Sequence, residues 1–267
     1  MDATLRAELK SVAHRLADVA RTETLRHFRQ GALDVGNKHE AGFDPVTRAD
    51  REAERAMRRM LSELRPDDAV LGEEFAPTAG HSGLTWILDP VDGTRGFISG
   101  TPTWGVLVAL ADDGGPVFGI IDQPFIGERF SGGLGDAAYS GPRGGAPLRV
   151  RNTVRLSEAV LFSTFPEIGT QQEAAAFGRV SDRCRLTRYG MDCYAYALLA
   201  LGQIDLVIEA GLQPYDIAAP IAVIEAAGGI VTDWQGDPAG GGGQVLAAAT
   251  PELHRAALSL LAQENGR

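Results

Sequence analysis

Cysteine is scarce in this chain, which contains only two, Cys184 and Cys193. Neither cysteine has the spacing to any of the five histidines that a zinc site requires. We therefore expect both thiols to be reduced and structural, which is consistent with a cytoplasmic location.

Long hydrophobic runs are also missing from the sequence. No stretch reaches the roughly 18 uninterrupted apolar residues that a membrane-spanning helix needs. The first residues, "MDATLRAELK", lack the apolar core of a signal peptide. The sequence thus predicts neither a transmembrane helix nor a cleaved leader.

Positive charge is in deficit, since 25 Lys and Arg stand against 35 Asp and Glu, giving a net charge of −10. Such a chain repels nucleic-acid phosphates and anionic membrane surfaces, so we expect neither as a partner. The acidity suits a protein that concentrates divalent cations, although solubility alone explains it equally well. The glycine-rich stretch "GDPAGGGGQ" at 236–244 lacks the lysine of a phosphate-binding loop and predicts a surface turn.

Hydrophobic periodicity predicts an α+β protein. Apolar residues at helical spacing indicate helices over residues 4–30 and from about 49 to 64. Short apolar runs with short connections then indicate an antiparallel sheet: "AVLG", "TWIL", "WGVLVAL" and "VFGIID". After a Gly- and Pro-rich segment near 145–155, strand-like and helical segments alternate in an α/β manner. We therefore predict two lobes, residues 1–150 with most of the acidic site and residues 151–267.

Five acidic residues occur where predicted strands or loops end: Asp44, Glu73, Asp89, Asp92 and Asp216. Carboxylates gathered at such edges repel one another unless a cation lies between them, and hard divalent cations prefer oxygen ligands. Each acid alone has an ordinary explanation, as part of a solvated turn, as an exposed side chain or as the N-cap of a helix. Their conjunction favours a metal site.

The stretch "WILDPVDGTRGF" at 86–97 combines two of these acids with a tight turn. Pro90 has no N–H and restricts the backbone between the two aspartates, which leaves carbonyl groups free to face a cation. Gly93 permits a turn that other residues resist. Thr94 adds a hydroxyl and a backbone N–H at the start of a predicted short helix, and such N–H groups attract phosphate.

These motifs resemble those of the inositol monophosphatase family of magnesium-dependent phosphatases. The matching strings, in order, are "FDPVTRAD" at 43–50, "GEE" at 72–74, "DPVDGT" at 89–94 and "PYDIAAP" at 214–220. The resemblance covers nearly the whole chain. It implies a layered α-β-α-β-α fold, a homodimer and a small-molecule phosphate ester as substrate.

The resemblance also implies individual roles for the matched residues. The expected ligands of one Mg²⁺ are Glu73, Asp89 and the carbonyl of Val91. Those of a second Mg²⁺ are Asp89, Asp92 and Asp216, and Glu73 reaches a weaker third ion. Asp44 and Thr94, with Glu73, would activate the attacking water, and the N–H groups of Gly93 and Thr94 would hold the phosphate. Lys38 matches a family lysine near the metals, although it also suits a plain surface position.

Three further residues bear on which phosphate ester is cleaved: Arg95, Asp192 and Glu209. Around these residues the sequence resembles the histidinol-phosphate phosphatases of this family, which are enzymes of histidine biosynthesis. Asp192 and Glu209 suit the ammonium group of histidinol, which inositol lacks. We also expect Tyr189 and Tyr194 to flank its imidazole ring, unless they serve only in packing, and Asp192 has the alternative of capping the helix that follows it.

Other substrates and a role without catalysis stay open at this point. The alternatives are inositol 1-phosphate, fructose bisphosphate, a 3′-phosphoadenosine nucleotide and a binding or regulatory function. The intact set of acids argues against a non-catalytic protein, because unpaired buried carboxylates are costly to keep without a metal. The predicted chemistry is an in-line attack by water with no covalent intermediate, in which Mg²⁺ offsets the charge of the phosphate.

Overall fold

The structure, a computed structural model, describes residues 1–30, 35–37 and 45–263, and for residues 35–37, 45 and 46 it describes the backbone alone. The α-helices in this part of the chain are α1 Ala3–Leu25, α2 Arg48–Leu64, α3 Thr94–Ser99, α4 Gln171–Ser181, α5 Cys193–Ala200, α6 Pro214–Ala226 and α7 Pro251–Leu261. The first helix is shorter than predicted, because residues 26–30 form turns. None of the described helices combines the length and apolarity needed to cross a membrane.

The described strands are β1 Val35–Asn37, β2 Pro45–Thr47, β3 Ala69–Gly72, β4 Thr85–Asp92, β5 Gly105–Asp112, β6 Gly115–Gln123, β7 Glu128–Gly133, β8 Asp136–Gly141, β9 Gly144–Pro147, β10 Val160–Ser163, β11 Leu186–Tyr189, β12 Leu206–Leu212, β13 Ile230–Thr232 and β14 Gly243–Ala248. Strands β1 and β2 pair with each other in antiparallel fashion.

Strands β3 to β9 form a seven-stranded sheet in sequential order. The prediction of a purely antiparallel sheet is wrong at one edge, because β3 and β4 run parallel, with Gly72 beside Leu88. Residues 73–84 carry the chain back across the sheet, so both strands point the same way. Glu73 follows Gly72 and Asp89 follows Leu88, so these two acids lie next to each other at the same edge of the sheet.

Strands β10 to β14 form a second, mixed sheet in the order β11-β10-β12-β14-β13. Strand β10 is parallel to both of its neighbours, whereas β14 is antiparallel to β12 and β13. The chain leaves the first sheet at Pro147 and enters the second at Val160. The division into lobes at residues 150 and 151 stays a prediction.

The α+β fold with five alternating layers is confirmed. Helices α1 and α2 cover one face of the first sheet, and α5 and α6 lie between the two sheets. Helices α4 and α7 cover the outer face of the second sheet. One buried apolar cluster packs α5 and α6 against both sheets, and a separate cluster lies under each outer pair of helices. Burial of apolar side chains therefore stabilises every layer.

Helix α6 lies unusually close to the first sheet at Gly119 of β6. A Cβ atom at this position would approach the carbonyl oxygen of Ala219 to 2.4 Å. A residue without a side chain is therefore required for this contact. The close packing fixes the start of α6, and with it Asp216, relative to the sheet that carries Asp89 and Asp92.

Candidate active site

Three of the predicted ligands meet where the first sheet faces the start of α6. One carboxylate oxygen from each of Asp89, Asp92 and Asp216 lies within 4.8 Å of the others. Asp89 is 2% exposed, whereas Asp92 and Asp216 are half-buried. These residues come from two distant segments, as the predicted metal site requires.

The local structure of "DPVD" explains how two carboxylates of one strand reach the same point. Pairing between β4 and β5 shifts register between Asp89 and Asp92. The N–H of Val91 donates to Oδ1 of Asp89 at 3.0 Å, which folds the strand around Pro90. Pro90 suits this irregularity because it has no N–H to contribute to the ladder.

Asp216 lies in the first turn of α6, two residues after the helix begins. Pro214 occupies the first helical position, where its missing N–H is tolerated. The backbone N–H of Gln213 donates to Oδ2 of Asp216 at 2.7 Å. The carboxylate therefore caps the helix and faces the other acids at the same time.

Burial and electrostatic repulsion both act on the acids of this cluster. Burial raises the pKa of Asp89 well above its usual value, and the nearby charges of Glu73, Asp92 and Asp216 raise it further. Burial likewise raises the pKa of Asp92, with added repulsion from Asp192 and Asp216. A divalent cation among these oxygens would relieve both effects, so the donor set fits a hard metal ion.

Ten of the predicted site residues line one cavity of about 400 Å³: Glu73, Asp89, Val91, Asp92, Gly93, Thr94, Arg95, Asp192, Glu209 and Asp216. Their individual roles stay predictions. Asp44 and Lys38 lie outside the described residues.

Gly93 and Thr94 form the turn between β4 and α3. Gly93 has a φ of 84°, and a Cβ atom there would approach the carboxyl carbon of Asp192 to 2.8 Å. Both the backbone conformation and the crowding therefore require glycine. The hydroxyl of Thr94 donates to the carbonyl oxygen of Val91 at 3.2 Å.

Asp192 occupies the N-cap position of α5, but its side chain makes no capping hydrogen bond. The capping contact comes instead from Asp92, whose Oδ2 accepts from the N–H of Cys193 at 2.6 Å. The alternative in which Asp192 caps this helix is thus wrong, and its carboxylate packs beside Gly93. Burial raises the pKa of Asp192 to about 6, and the charge of Arg95 opposes this shift.

Glu209 is a buried acid on β12 within the same cavity. Its carboxylate accepts hydrogen bonds from the hydroxyls of Thr164 and Tyr196, the latter at 3.1 Å. Burial raises the pKa of Glu209 to about 7, while these two hydrogen bonds lower it. Asp192, Glu209 and Glu167 thus line the cavity in addition to the acidic cluster.

Tyr189 and Tyr194 were expected to flank the substrate ring, but neither lines the cavity. The hydroxyl of Tyr194 donates to Oε2 of Glu128 at 2.6 Å, and the ring of Tyr189 packs 6.2 Å from that of Phe177. The alternative of a packing role fits Tyr194, whose ring also lies 6.2 Å from that of Phe130, whereas Tyr189 is 38% exposed. The aromatic residues that line the cavity are Phe165, Tyr196 and Tyr215.

Asp50 is a buried acid near the site that the motifs did not single out. The N–H of Thr47 donates to its Oδ2 at 2.9 Å, whereas its Oδ1 has no hydrogen-bond partner within the described ranges. Burial raises the pKa of Asp50 to about 7, and the charges of Glu73 and Glu74 add to the shift. The sequence pattern that could have identified Asp50 is the capping box Thr47-x-x-Asp50 within "FDPVTRAD".

Known proteins resemble this chain over almost its full length. A sequence profile of the inositol monophosphatase family matches residues 5–265. A protein of Arabidopsis thaliana named bifunctional phosphatase IMPL2 is 38% identical over 262 residues, covering 94% of this chain and 74% of the relative. The histidinol-phosphatase of Mycobacterium tuberculosis is 35% identical over 236 residues, covering 87% of this chain and 90% of the relative. The solved structure of an inositol monophosphatase from Zymomonas mobilis superposes with a TM-score of 0.84 at 39% identity, covering 98% of this chain and 100% of that chain.

Proposed function

This chain belongs to the inositol monophosphatase family of phosphatases, and on that basis we propose that it is a Mg²⁺-dependent histidinol-phosphate phosphatase. The observation that carries the proposal is the presence of Asp192 and Glu209 in the cavity that also contains the metal-binding acids. The likeness to the histidinol-phosphatase of Mycobacterium tuberculosis supports the same substrate.

The acidic cluster provides the metal ligands in this proposal. One Mg²⁺ would be held by Glu73, Asp89 and the carbonyl of Val91. A second would be held by Asp89, Asp92 and Asp216, and Glu73 would reach a third. When bound, Mg²⁺ offsets the charge of the phosphate dianion, lowers the pKa of a water molecule and stabilises the leaving alkoxide.

The surrounding protein groups position the phosphate and the water. Backbone N–H groups of Gly93 and Thr94 are the proposed donors to the phosphate oxygens. The hydroxyl of Thr94 donates its proton to the carbonyl oxygen of Val91, so the lone pairs of the hydroxyl oxygen can accept a hydrogen bond from the water. Glu73, which lines the cavity, is proposed to receive the proton of that water, and Asp44 keeps this role as a prediction from the family resemblance.

The alcohol half of the cavity suits a cationic amine. Asp192 and Glu209 are carboxylates in a poorly hydrated environment, which raises both pKa values. An ammonium group bound between them would favour their ionised forms and would form charge-assisted hydrogen bonds. Inositol offers only hydroxyl groups, which compensate buried negative charge less well.

The proposal is tested by steady-state rates on four esters: histidinol phosphate, inositol 1-phosphate, fructose 1,6-bisphosphate and a 3′-phosphoadenosine nucleotide. We expect kcat/KM for histidinol phosphate to exceed the others by about tenfold or more. A clear preference for inositol 1-phosphate would overturn the assignment.

Inositol 1-phosphatase activity is the second candidate, favoured by the 39% identity to the Zymomonas mobilis enzyme. The same rate comparison distinguishes the two. A homodimer and a cytoplasmic location remain predictions from the family resemblance and the cysteine content.

A further inference from the structure

One exposed aromatic residue at the cavity wall has no part in the site described so far. Phe165 follows β10, lines the cavity and is 43% exposed. The guanidinium carbon of Arg95 lies 4.9 Å from the centre of its ring. The pair joins the first turn of α3, which follows the first sheet, to the loop that follows β10 of the second sheet.

The neighbours of this pair connect it to the two acids of the alcohol half. Thr164, directly before Phe165, donates its hydroxyl to Oε1 of Glu209. On the other side, the carboxylate of Asp192 packs against the turn that carries Arg95, since a Cβ atom on Gly96 would approach its Oδ2 to 3.5 Å. Phe165 and Arg95 are therefore each held next to one of the carboxylates proposed to bind an ammonium group.

We propose that the Phe165 ring, oriented by Arg95, is the surface that binds a flat heterocycle on the substrate alcohol. This inference rests on the proposed function, and it assigns the imidazole of histidinol phosphate to Phe165. An aromatic face attracts both a neutral ring, through stacking, and an imidazolium ion, through its quadrupole. Binding would also remove the exposed part of the Phe165 ring from water.

This arrangement divides the recognition of the substrate among three groups. The acidic cluster and the Gly93 turn take the phosphate, the two carboxylates take the ammonium, and Phe165 takes the ring. Inositol has no aromatic ring, so it lacks the ring–ring stacking that Phe165 would supply. Phe165 would thus determine specificity without contributing to hydrolysis.

The test compares two substrates that differ in the ring alone, histidinol phosphate and 2-aminopropyl phosphate. The variant Phe165→Leu removes the aromatic face and keeps an apolar side chain, whereas Phe165→Tyr keeps the ring. A matched control is Phe125→Leu, because Phe125 is 46% exposed and has Arg29 at 4.4 Å from its ring, yet does not line the cavity.

For Phe165→Leu we expect kcat/KM on histidinol phosphate to fall about tenfold, mainly through KM, because stacking is present in the ground state as well as the transition state. The rate on 2-aminopropyl phosphate should stay within about twofold of the wild type. Phe165→Tyr and Phe125→Leu should both stay within about threefold on histidinol phosphate.

An unchanged rate on histidinol phosphate, or an equal loss on both substrates, would overturn the role of Phe165 and leave the proposed function intact. A wild-type enzyme that prefers inositol 1-phosphate would overturn the proposed function itself, whatever the variants show. Melting temperatures of the variants, measured alongside, separate a local effect from loss of the fold.

Discussion

The carboxylate of Asp92 accepts a hydrogen bond from the backbone N–H of Cys193 at 2.6 Å, across 101 positions of sequence. This contact joins the acidic end of β4 to the start of α5. It also sets the position of Asp192, which precedes Cys193 and packs against Gly93. The proposed metal site and the proposed ammonium site are therefore parts of one rigid arrangement.

Replacing Asp92 by Asn should abolish most phosphate release. The variant loses one negative ligand, and its amide cannot fully replace the carboxylate oxygen at Mg²⁺. We expect kcat/KM to fall by about 100-fold or more, since metal activation of water is a major part of the catalysis. Asp113→Asn, in the exposed turn between β5 and β6, is the matched control. Unchanged release from Asp92→Asn would show that the acidic cluster is not the catalytic metal site.

Mg²⁺ should raise the melting temperature of the protein. Binding of the ion to the folded state alone stabilises it by about 2.7 kcal/mol at 100 times the dissociation constant, or roughly 5–10 °C for a chain of this size. Differential scanning fluorimetry with EDTA and with Mg²⁺ measures this shift. Absence of any shift in the wild type would contradict binding at this cluster.

Asp89→Asn should stabilise the metal-free protein while removing the Mg²⁺-dependent shift. The substitution removes a buried charge that Glu73, Asp92 and Asp216 repel. It also keeps an oxygen that can accept from the N–H of Val91. We expect a gain of about 1 kcal/mol, seen as a rise of roughly 2–4 °C in EDTA. A lower melting temperature in EDTA would show that the cluster is not under repulsion.

Without metal, Glu209 should make the protein less stable as pH rises from 5 to 7.5. Its pKa rises from 4.5 in the unfolded chain to about 7 in the folded protein, so the folded state binds the proton more tightly. That contribution is fully present below the unfolded pKa and is lost as pH rises through the folded one.

Urea unfolding of the wild type and of Glu209→Gln at several pH values isolates this effect. We expect the difference in unfolding free energy between the two proteins to change by about 1–3 kcal/mol across this range, with the variant gaining relative to the wild type. Burial lowers the pKa values of His14 and His254, so these two residues make the protein more stable as pH rises. Both proteins contain them, so their contribution cancels in the difference. A constant difference would show that Glu209 has an ordinary pKa.

Asp192→Asn should act on the amine-bearing ester selectively. The amide is nearly isosteric, so its packing beside Gly93 is kept, while the charge that pairs with ammonium is lost. We expect KM for histidinol phosphate to rise about tenfold and that for inositol 1-phosphate to stay within about twofold. Equal effects on both esters would leave Asp192 a structural role only.

Local motifs were sufficient to predict much of the site, because "DPVDGT" places two acids, a proline and a required glycine within six residues. The adjacency of Glu73 and Asp89 depends on the parallel pairing of β3 and β4, which short apolar runs do not reveal. The strands β7 to β9 are short and rich in Gly and Ala, so their alternation carries little signal.

Side-chain direction was the least predictable feature. Tyr194 is one residue beyond the start of α5 and points to Glu128, whereas Tyr196, two positions later, faces Glu209. The rotation of about 100° per helical residue turns such neighbours to different surroundings. Phe165 reaches the cavity only through the order of strands in the second sheet, which the sequence pattern does not specify.

Anomalous diffraction from crystals grown with Mn²⁺ in place of Mg²⁺ tests most directly whether the acidic cluster binds a metal ion. The account predicts strong anomalous peaks within coordination distance of carboxylate oxygens of Asp89, Asp92 and Asp216. Mn²⁺ bound elsewhere on the protein, with these three carboxylates in contact with no ion, would contradict it.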